Sequence, residues 1–328
     1  MSELYPLLFE PVLKNYLWGG RNLELLGREL PNEGCVAESW EIASHQDGMT
    51  SVKNGPFTGK TLPELLKFFG EDLVGSNNAW AFKRGKFPLM VKLLDANRRL
   101  SVQVHPEDDY ARQHEGNELG KAEMWVVLWA KPGASIIYGF LDHMTPEEFR
   151  LTITMGTLES RLNKIAVFAG DHVCVPPGTL HAILEGVVLA EIQQNSNTTY
   201  RVYDWNRTDE NGKARDLHIE KAVDVIDFEQ IKSVLPESTI IRNNAHVLVE
   251  RLCQNAYFST ERVIFKQNWT YQGCCDGTSF EIWGVIKGEA NIAGEKVIAV
   301  EFCLLPANLG KFSINATIDS VLLRVFTG

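Results

Sequence analysis

Short apolar runs, separated from one another by Gly, Pro and Asn, constrain the fold of this chain more than any other feature. Examples are MWVVLWA (124–130), HVCVPP (172–177), GVVLAEIQ (186–193), HVLVERLCQ (246–254), RVIFKQ (262–267) and KVIAVEFCLLP (296–306). Each reads as a strand bounded by turn residues, and many such strands in series predict a β-sandwich or jelly roll. A doubly wound parallel sheet needs a helix after nearly every strand, and that alternation is missing. Helical patterns are local. TLPELLKFFGEDLVG (61–75) begins with Thr61 and has Glu64 three residues on, the spacing of a capping box. MTPEEFRLTITMGTLESRLNKI (144–165) opens on Thr145, Pro146, Glu147 and Glu148, a helix start that predicts one or two short helices inserted over about 142–165. DLHIEKAVDVIDF (216–228) holds a third candidate.

At 328 residues the chain is long enough for two lobes with separate cores. EMWVVLWAKPGASI (123–136) is echoed by EIWGVIKGEANI (281–292), and GDHVCVPPGTLHAI by VEFCLLPANLGKFSI. Aligning Pro176 with Pro306 sets His181 opposite Lys311, so the echo predicts two related β barrels of which only the first carries the histidine. The expected division is a first domain over 1–240 and a smaller C-terminal β domain over 241–328.

A net charge of −10, with no Lys- or Arg-rich run, argues against a nucleic-acid partner. The N-terminal stretch MSELYPLLFEPVLKNYLWGG has neither the apolar core of a secretory signal nor the length of a membrane span. The six cysteines form no CxxC, and Cys174 and Cys303 lie in apolar runs, as small hydrophobes do. Together these features predict a reduced cytoplasmic protein with no membrane partner and no disulfide framework.

Within SVQVHP (101–106), Val102 and Val104 point one way along a strand, while Ser101, Gln103 and His105 point the other. Glu123 opens a strand nearby in sequence, and His181 follows the turn PPGT. Two imidazoles and a carboxylate suit a borderline divalent ion such as zinc, with Gln103 available as a fourth donor and water or substrate completing the shell. Each residue alone has a plainer reading. His105 would be a solvent-exposed strand end, His181 a loop cap, and Glu123 a surface carboxylate paired with Lys121, worth only about 0–1 kcal/mol.

A second cluster is EIQQNSNTTYRVYDWNR (191–207). Val187, Leu189, Glu191 and Gln193 share one strand face, so Glu191 is either a solvent-facing charge or a carboxylate held in a cavity, where desolvation raises its pKa. Arg201 stays cationic near neutrality and suits binding an anion or stabilising developing negative charge. The competing reading is a structural Glu191–Arg201 ion pair. No Walker A or GxGxxG loop is present, so a phosphate would need scattered donors, for which Lys92, Ser101 and Lys121 are candidates. Trp18, in YLWGG (16–20), is a candidate pocket wall or a turn residue.

LSVQVHP, GKAEMW, VPPGTLHAI, EIQQNSNTTYRVYDWNR and RDLHI, with WGG (18–20), ESWE (38–41) and PLMVKLLDA (88–96), together resemble the type I mannose-6-phosphate isomerases in their short bacterial form. The resemblance runs to about residue 220 and fades beyond. It implies a cupin-type jelly roll with one zinc that interconverts mannose 6-phosphate and fructose 6-phosphate through an enediol. It also implies Gln103, His105, Glu123 and His181 as ligands, Arg201 as the catalytic arginine, Glu191 as a pocket carboxylate and first choice of base, and Lys92, Ser101 and Lys121 as pocket donors. Asn197 departs from the aspartate usual at its position, and an amide cannot transfer a proton as a carboxylate does. A metal-dependent cupin oxygenase and a non-catalytic sugar-phosphate-binding relative are the alternatives.

Overall fold

The computed structural model describes residues 4–208, 211–229 and 235–328, and it is mainly β. A six-stranded antiparallel sheet runs in the order His172–Val175, Glu123–Ala130, Val187–Gln194, Leu89–Ala96, Glu38–Ile42, Val12–Lys14. A five-stranded antiparallel sheet runs Leu162–Ala166, Ser135–Phe140, His181–Ile183, Val102–Val104, Tyr200–Tyr203.

Side-chain alternation explains how the two sheets pack. Trp125, Val127, Val187, Leu189 and Leu94 from the first sheet meet Ile136, Tyr138 and Ile183 from the second in one shared core. The residues between them in sequence point outward. Met124, Val126, Val188, Ala190 and Ile192 pack toward the C-terminal lobe, and Val102, Val104, Ile137 and Ala182 pack under helices Pro146–Thr154 and Ile219–Val225. Both faces of each sheet are therefore covered, and polar side chains on the inner faces have only the barrel interior to occupy.

The C-terminal lobe encloses its own core between an eight-stranded and a four-stranded sheet. The strand Leu7–Glu10 belongs to this lobe's larger sheet, pairing Leu7 with Leu304 and Leu8 with Cys303. The repeat has a structural counterpart. Glu123 and Glu281 each open a strand and each accept a hydrogen bond from the tryptophan two residues on, Trp125 Nε1 at 3.1 Å and Trp283 Nε1 at 2.7 Å. In the second lobe, however, Glu281 is ion-paired with Arg324.

Most expected elements are present. Helix Leu62–Phe69 has the Thr61/Glu64 capping box, and Pro146–Thr154 has one from Thr145 and Glu148. Three readings need correction. The run 296–306 is two strands, Glu295–Ile298 and Phe302–Leu305, because Val300 turns the chain at φ +60°. Helices Ala79–Arg84 and Asp108–His114 had no expected counterpart. Cys174 is not a lone small hydrophobe: it is disulfide-bonded to Cys253, with Cα atoms 5.8 Å apart, where strand His172–Val175 meets Val247–Gln254 of the other lobe. Sequence spacing cannot show this pairing, because it is created by lobe packing. Among the described residues no helix is long and apolar enough to cross a membrane.

Gly75 sits where the lobes dock. Ser76 N donates to Gly277 O at 2.9 Å and Asn77 N to Thr278 O at 3.0 Å. Gly75 has φ +86°, and a Cβ there would lie 2.4 Å from Thr278 O, a backbone atom that cannot swing aside. Gly75→Ala therefore combines left-handed strain with overpacking and is expected to destabilise by roughly 2–4 kcal/mol. Denaturant unfolding measures it, and an unchanged midpoint would refute the docking role.

Candidate metal centre and sugar-phosphate cleft

Register brings the polar row of residues 101–105 against the second histidine. His181 pairs directly with Gln103, and Arg201 pairs with Gln103 from the opposite side. His105, Glu123 and His181 converge inside the barrel, each about 1% exposed, with candidate ligand atoms all within 4.8 Å of one another. His105 Nε2 is 3.2 Å from Glu123 Oε1, and His181 Nε2 is 3.8 Å from Glu123 Oε2. Gln103 Nε2 is 3.4 Å from His181 Nε2, so the amide end reaches the same point.

Three features of this cluster fit a divalent ion. The Nδ1 atoms are occupied, His105 by Thr198 O at 2.8 Å and His181 by Thr179 O at 2.9 Å. Each carbonyl accepts the Nδ1 proton and leaves the Nε2 lone pair facing the cluster, the way outer partners orient metal-binding histidines. Protonation states also match. Burial and then the charge of Lys121 push His105 down to about 3, and burial lowers His181, so both imidazoles are neutral at pH 7. Burial alone would raise Glu123, but the charge of Lys121 outweighs it and holds the carboxyl well below its usual range. Finally, Glu123 brings both oxygens to the cluster, Oε1 3.2 Å from His105 Nε2 and Oε2 3.8 Å from His181 Nε2, with Lys121 Nζ 2.8 Å from Oε1 as its ion-pair partner. Neutral nitrogens and an ionised carboxylate converging on one point are what a divalent ion requires. The exposed readings of His105, His181 and Glu123 do not hold, since all three are buried.

Gln103 and Lys121, which touch the triad, line a cleft of about 310 Å³, a volume suited to a small ligand. Of the expected pocket residues, Trp18, Lys92, Ser101, Gln103, Lys121, Glu191 and Arg201 all line it. Gly19 has Ala37 behind it, where a Cβ would sit 2.6 Å from Ala37 N, so the Trp-Gly-Gly loop lies flat and presents Trp18. Glu191 and Arg201 are not an ion pair. Glu191 Oε1 accepts from Trp125 Nε1 at 3.0 Å, and its Oε2 is 3.8 Å from Lys92 Nζ. Burial, reinforced by Glu123, pushes Glu191 up to about 7. Lys92 is held between Glu38 at 3.7 Å and Glu191 at 3.8 Å, with its ammonium 4.8 Å from the Trp40 ring centroid. Arg201 Nε donates to Ser101 Oγ at 3.3 Å and its Nη1 to the backbone oxygen of Asp216 at 3.1 Å.

Type I phosphomannose isomerase, catalytic domain, is the family profile that matches residues 7–135. Mannose-6-phosphate isomerase ManA of Bacillus subtilis is 37% identical over 326 residues, spanning 97% of this chain and 98% of that protein. This chain belongs to the type I phosphomannose isomerase family. A mannose-6-phosphate isomerase of Streptococcus mutans is 44% identical over 232 residues, 70% of this chain and 71% of its own length. The crystal structure of the mannose 6-phosphate isomerase from Bacillus subtilis superposes with a TM-score of 0.85 at 33% identity, covering 98% of this chain and 99% of that one. The jelly-roll expectation and the family's cupin-type architecture thus agree.

Asn197 lines the cleft and its Nδ2 donates to Asp47 Oδ2 at 2.7 Å, an arrangement two carboxylates would disrupt by repulsion. The cleft also contains Tyr16, Glu38, Thr199 and Arg215, none of which sequence reasoning selected as site residues. Tyr16 stacks on Trp18 at 5.7 Å, and its place beside YLWGG was the only available hint. Arg215 had one too, as the first residue of RDLHI.

Proposed function

We propose that this chain is a zinc-dependent aldose–ketose isomerase that interconverts mannose 6-phosphate and fructose 6-phosphate in the cytoplasm. The observation that carries the reading is the buried triad of His105, Glu123 and His181, oriented by backbone carbonyls and lying behind Gln103 and Lys121, which line a cleft with Arg201 and Glu191. His105, Glu123, His181 and Gln103 would hold one zinc ion, which when bound supplies a Lewis acid for the substrate's carbonyl and hydroxyl oxygens.

The chain's own residues account for the rest. Glu191, buried and poised near neutrality, takes the proton from one of the two adjacent carbons and returns it to the other, passing through an enediol. Trp125 Nε1 fixes the carboxylate's angle, and Lys92 holds its other oxygen. Arg201, half-buried and held at Ser101, adds fixed positive charge on the entrance side of the reacting oxygens. Trp18 and Tyr16 form an apolar wall for the sugar. The catalytic part lies within residues 1–240. Residues 241–328 act as a metal-free supporting lobe, a division that strand Leu7–Glu10 crosses. The Glu281–Arg324 pair supports that reading, since an arginine occupies the carboxylate corresponding to Glu123.

A coupled assay of mannose 6-phosphate isomerisation on a metal-quantified sample tests the activity, and binding without turnover would sink it. Arg201→Ala should lower kcat by about 10²–10³-fold, the usual loss for a donor aimed at developing negative charge, while zinc content and fold are unchanged. Loss of metal or of fold in that variant would instead make Arg201 a structural residue.

A further inference from the structure

The cleft is electrically lopsided, and its two ends differ in exposure. At the floor, Lys92 and Lys121 are outnumbered by Glu38, Glu123 and Glu191, an excess of negative charge among side chains that are nearly all buried. At the entrance, Arg201, Arg207 and Arg215 lie beside Asp204 and Asp216 among the described residues. Arg215 is 39% exposed and lines the main cleft together with two adjoining hollows, one shared with Arg201 and His218, the other with Tyr16, Trp18 and Arg207. Burial and then the charges of Arg201 and Lys221 lower His218, so it adds no cation at neutral pH.

Two guanidiniums are brought together here and held. Asp204 is buried and accepts from Arg215 through Nε, at 2.8 Å, and Nη2, and from Arg207 through Nη2. Arg207 is tied down further by Arg99 O at 2.6 Å. Arg201 is fixed by Ser101 and by the backbone oxygen of Asp216, the residue next to Arg215. Among the described residues, Arg201 Nη2 and Arg215 Nη1 donate to no protein acceptor. Like charges placed side by side repel, as the depressed pKa of Arg201 reflects: burial comes first among its causes and Arg215 second. The chain segment that carries Asp204 then turns through Trp205 and Asn206 in the left-handed region, at φ 57° and 53°, unusual for non-glycine residues and common near ligand sites.

We propose that Arg215, held by Asp204 beside Arg201, binds the substrate's phosphate at the cleft entrance, with Ser101 Oγ between that anion and the metal-binding floor. This rests on the sugar-phosphate reading above. Ser101 and Gln103 are two residues apart on one strand face, a separation of about 6.6 Å, which suits a six-carbon chain with its reacting carbons at one end and its phosphate at the other. Arg201 and Arg215 bring two guanidiniums to the entrance, and guanidinium forks are the side chains best shaped for a phosphate of about −1.5 to −2. Lys92 and Lys121, the sequence candidates for that task, are each neutralised by carboxylates on the floor.

The test is steady-state kinetics on the metal-loaded full chain with mannose 6-phosphate and with free mannose, for wild type, Arg215→Ala, Arg215→Lys and Asp204→Asn. The ratio of kcat/KM for the phosphorylated over the free sugar should fall roughly 10–100-fold in Arg215→Ala, mainly through KM, the size expected for losing charge-assisted hydrogen bonds. Arg215→Lys should recover part of it, and Asp204→Asn should raise KM more than it lowers kcat. An equal loss on both sugars, or an unchanged KM, overturns the assignment. Calorimetric titration with inorganic phosphate decides the matter even if wild type turns over neither sugar. Binding weakened tenfold or more in Arg215→Ala upholds the anion site while the isomerase reading fails, and equal binding removes the site itself.

Discussion

Stripping divalent ions with a chelator should abolish isomerisation, and zinc should restore it. The expected loss is roughly 10³-fold or more, because a Lewis acid contributes several kcal/mol and each 1.36 kcal/mol is a factor of ten. Nothing else on the cleft floor can substitute. The imidazoles of His105 and His181 are neutral, and Lys121 is committed to Glu123 at 2.8 Å. The fold should survive, since backbone carbonyls and the barrel core hold the ligands in place, so circular dichroism is expected to change little. Elemental analysis should find one zinc per chain in active protein and much less in His105→Ala. Full activity in a sample verified to be metal-free would end the reading, and iron with oxygen consumption would favour a cupin oxygenase instead.

What the sequence revealed follows from the range of the interactions concerned. The Thr61/Glu64 and Thr145/Glu148 boxes are local, and both helix starts were readable. Period-two alternation put Gln103 and His105 on one face and Glu191 on the face of Val187 and Leu189, and the barrel places both faces inward. Strand pairing between distant segments has no such pattern. The N-terminal strand crossing to Leu304, the Cys174–Cys253 bond and the second barrel's Glu281–Arg324 pair all arise from packing between lobes. The carbonyls of Thr198 and Thr179, which orient the histidines, belong to the backbone and leave no trace in residue type. The candidate triad of His105, Glu123 and His181 was legible because metal chemistry is selective about side chains. The role of Arg215 was not, because arginine is common on surfaces and only the fold turns this one toward Arg201.

Glu191→Gln should lower kcat by about 10²–10⁴-fold with little change in zinc content, the range expected when a positioned general base is removed. Gln keeps the shape and an oxygen that can still accept from Trp125 Nε1, so folding should be preserved, whereas Glu191→Ala would leave Lys92 facing Glu38 alone and confuse the result. The pH dependence carries an independent sign. A base acts when deprotonated, so kcat should rise with pH through the pKa of Glu191, which burial and Glu123 push up to about 7. A bound divalent ion adds to the lowering effect of Lys92 and Lys121, so the acid limb should fall at or below pH 7. In deuterated water the wild-type product should carry some solvent deuterium, and the variant should lose exchange and turnover together. Retained exchange in Glu191→Gln would shift the base to another group, such as a metal-bound water or hydroxide. A complete lack of exchange in wild type would favour hydride transfer or a fully shielded proton. If Glu191 is the base, an amide at position 197 costs this chain nothing essential, because the proton is handled from strand Val187–Gln194 and not from the loop that carries Asn197.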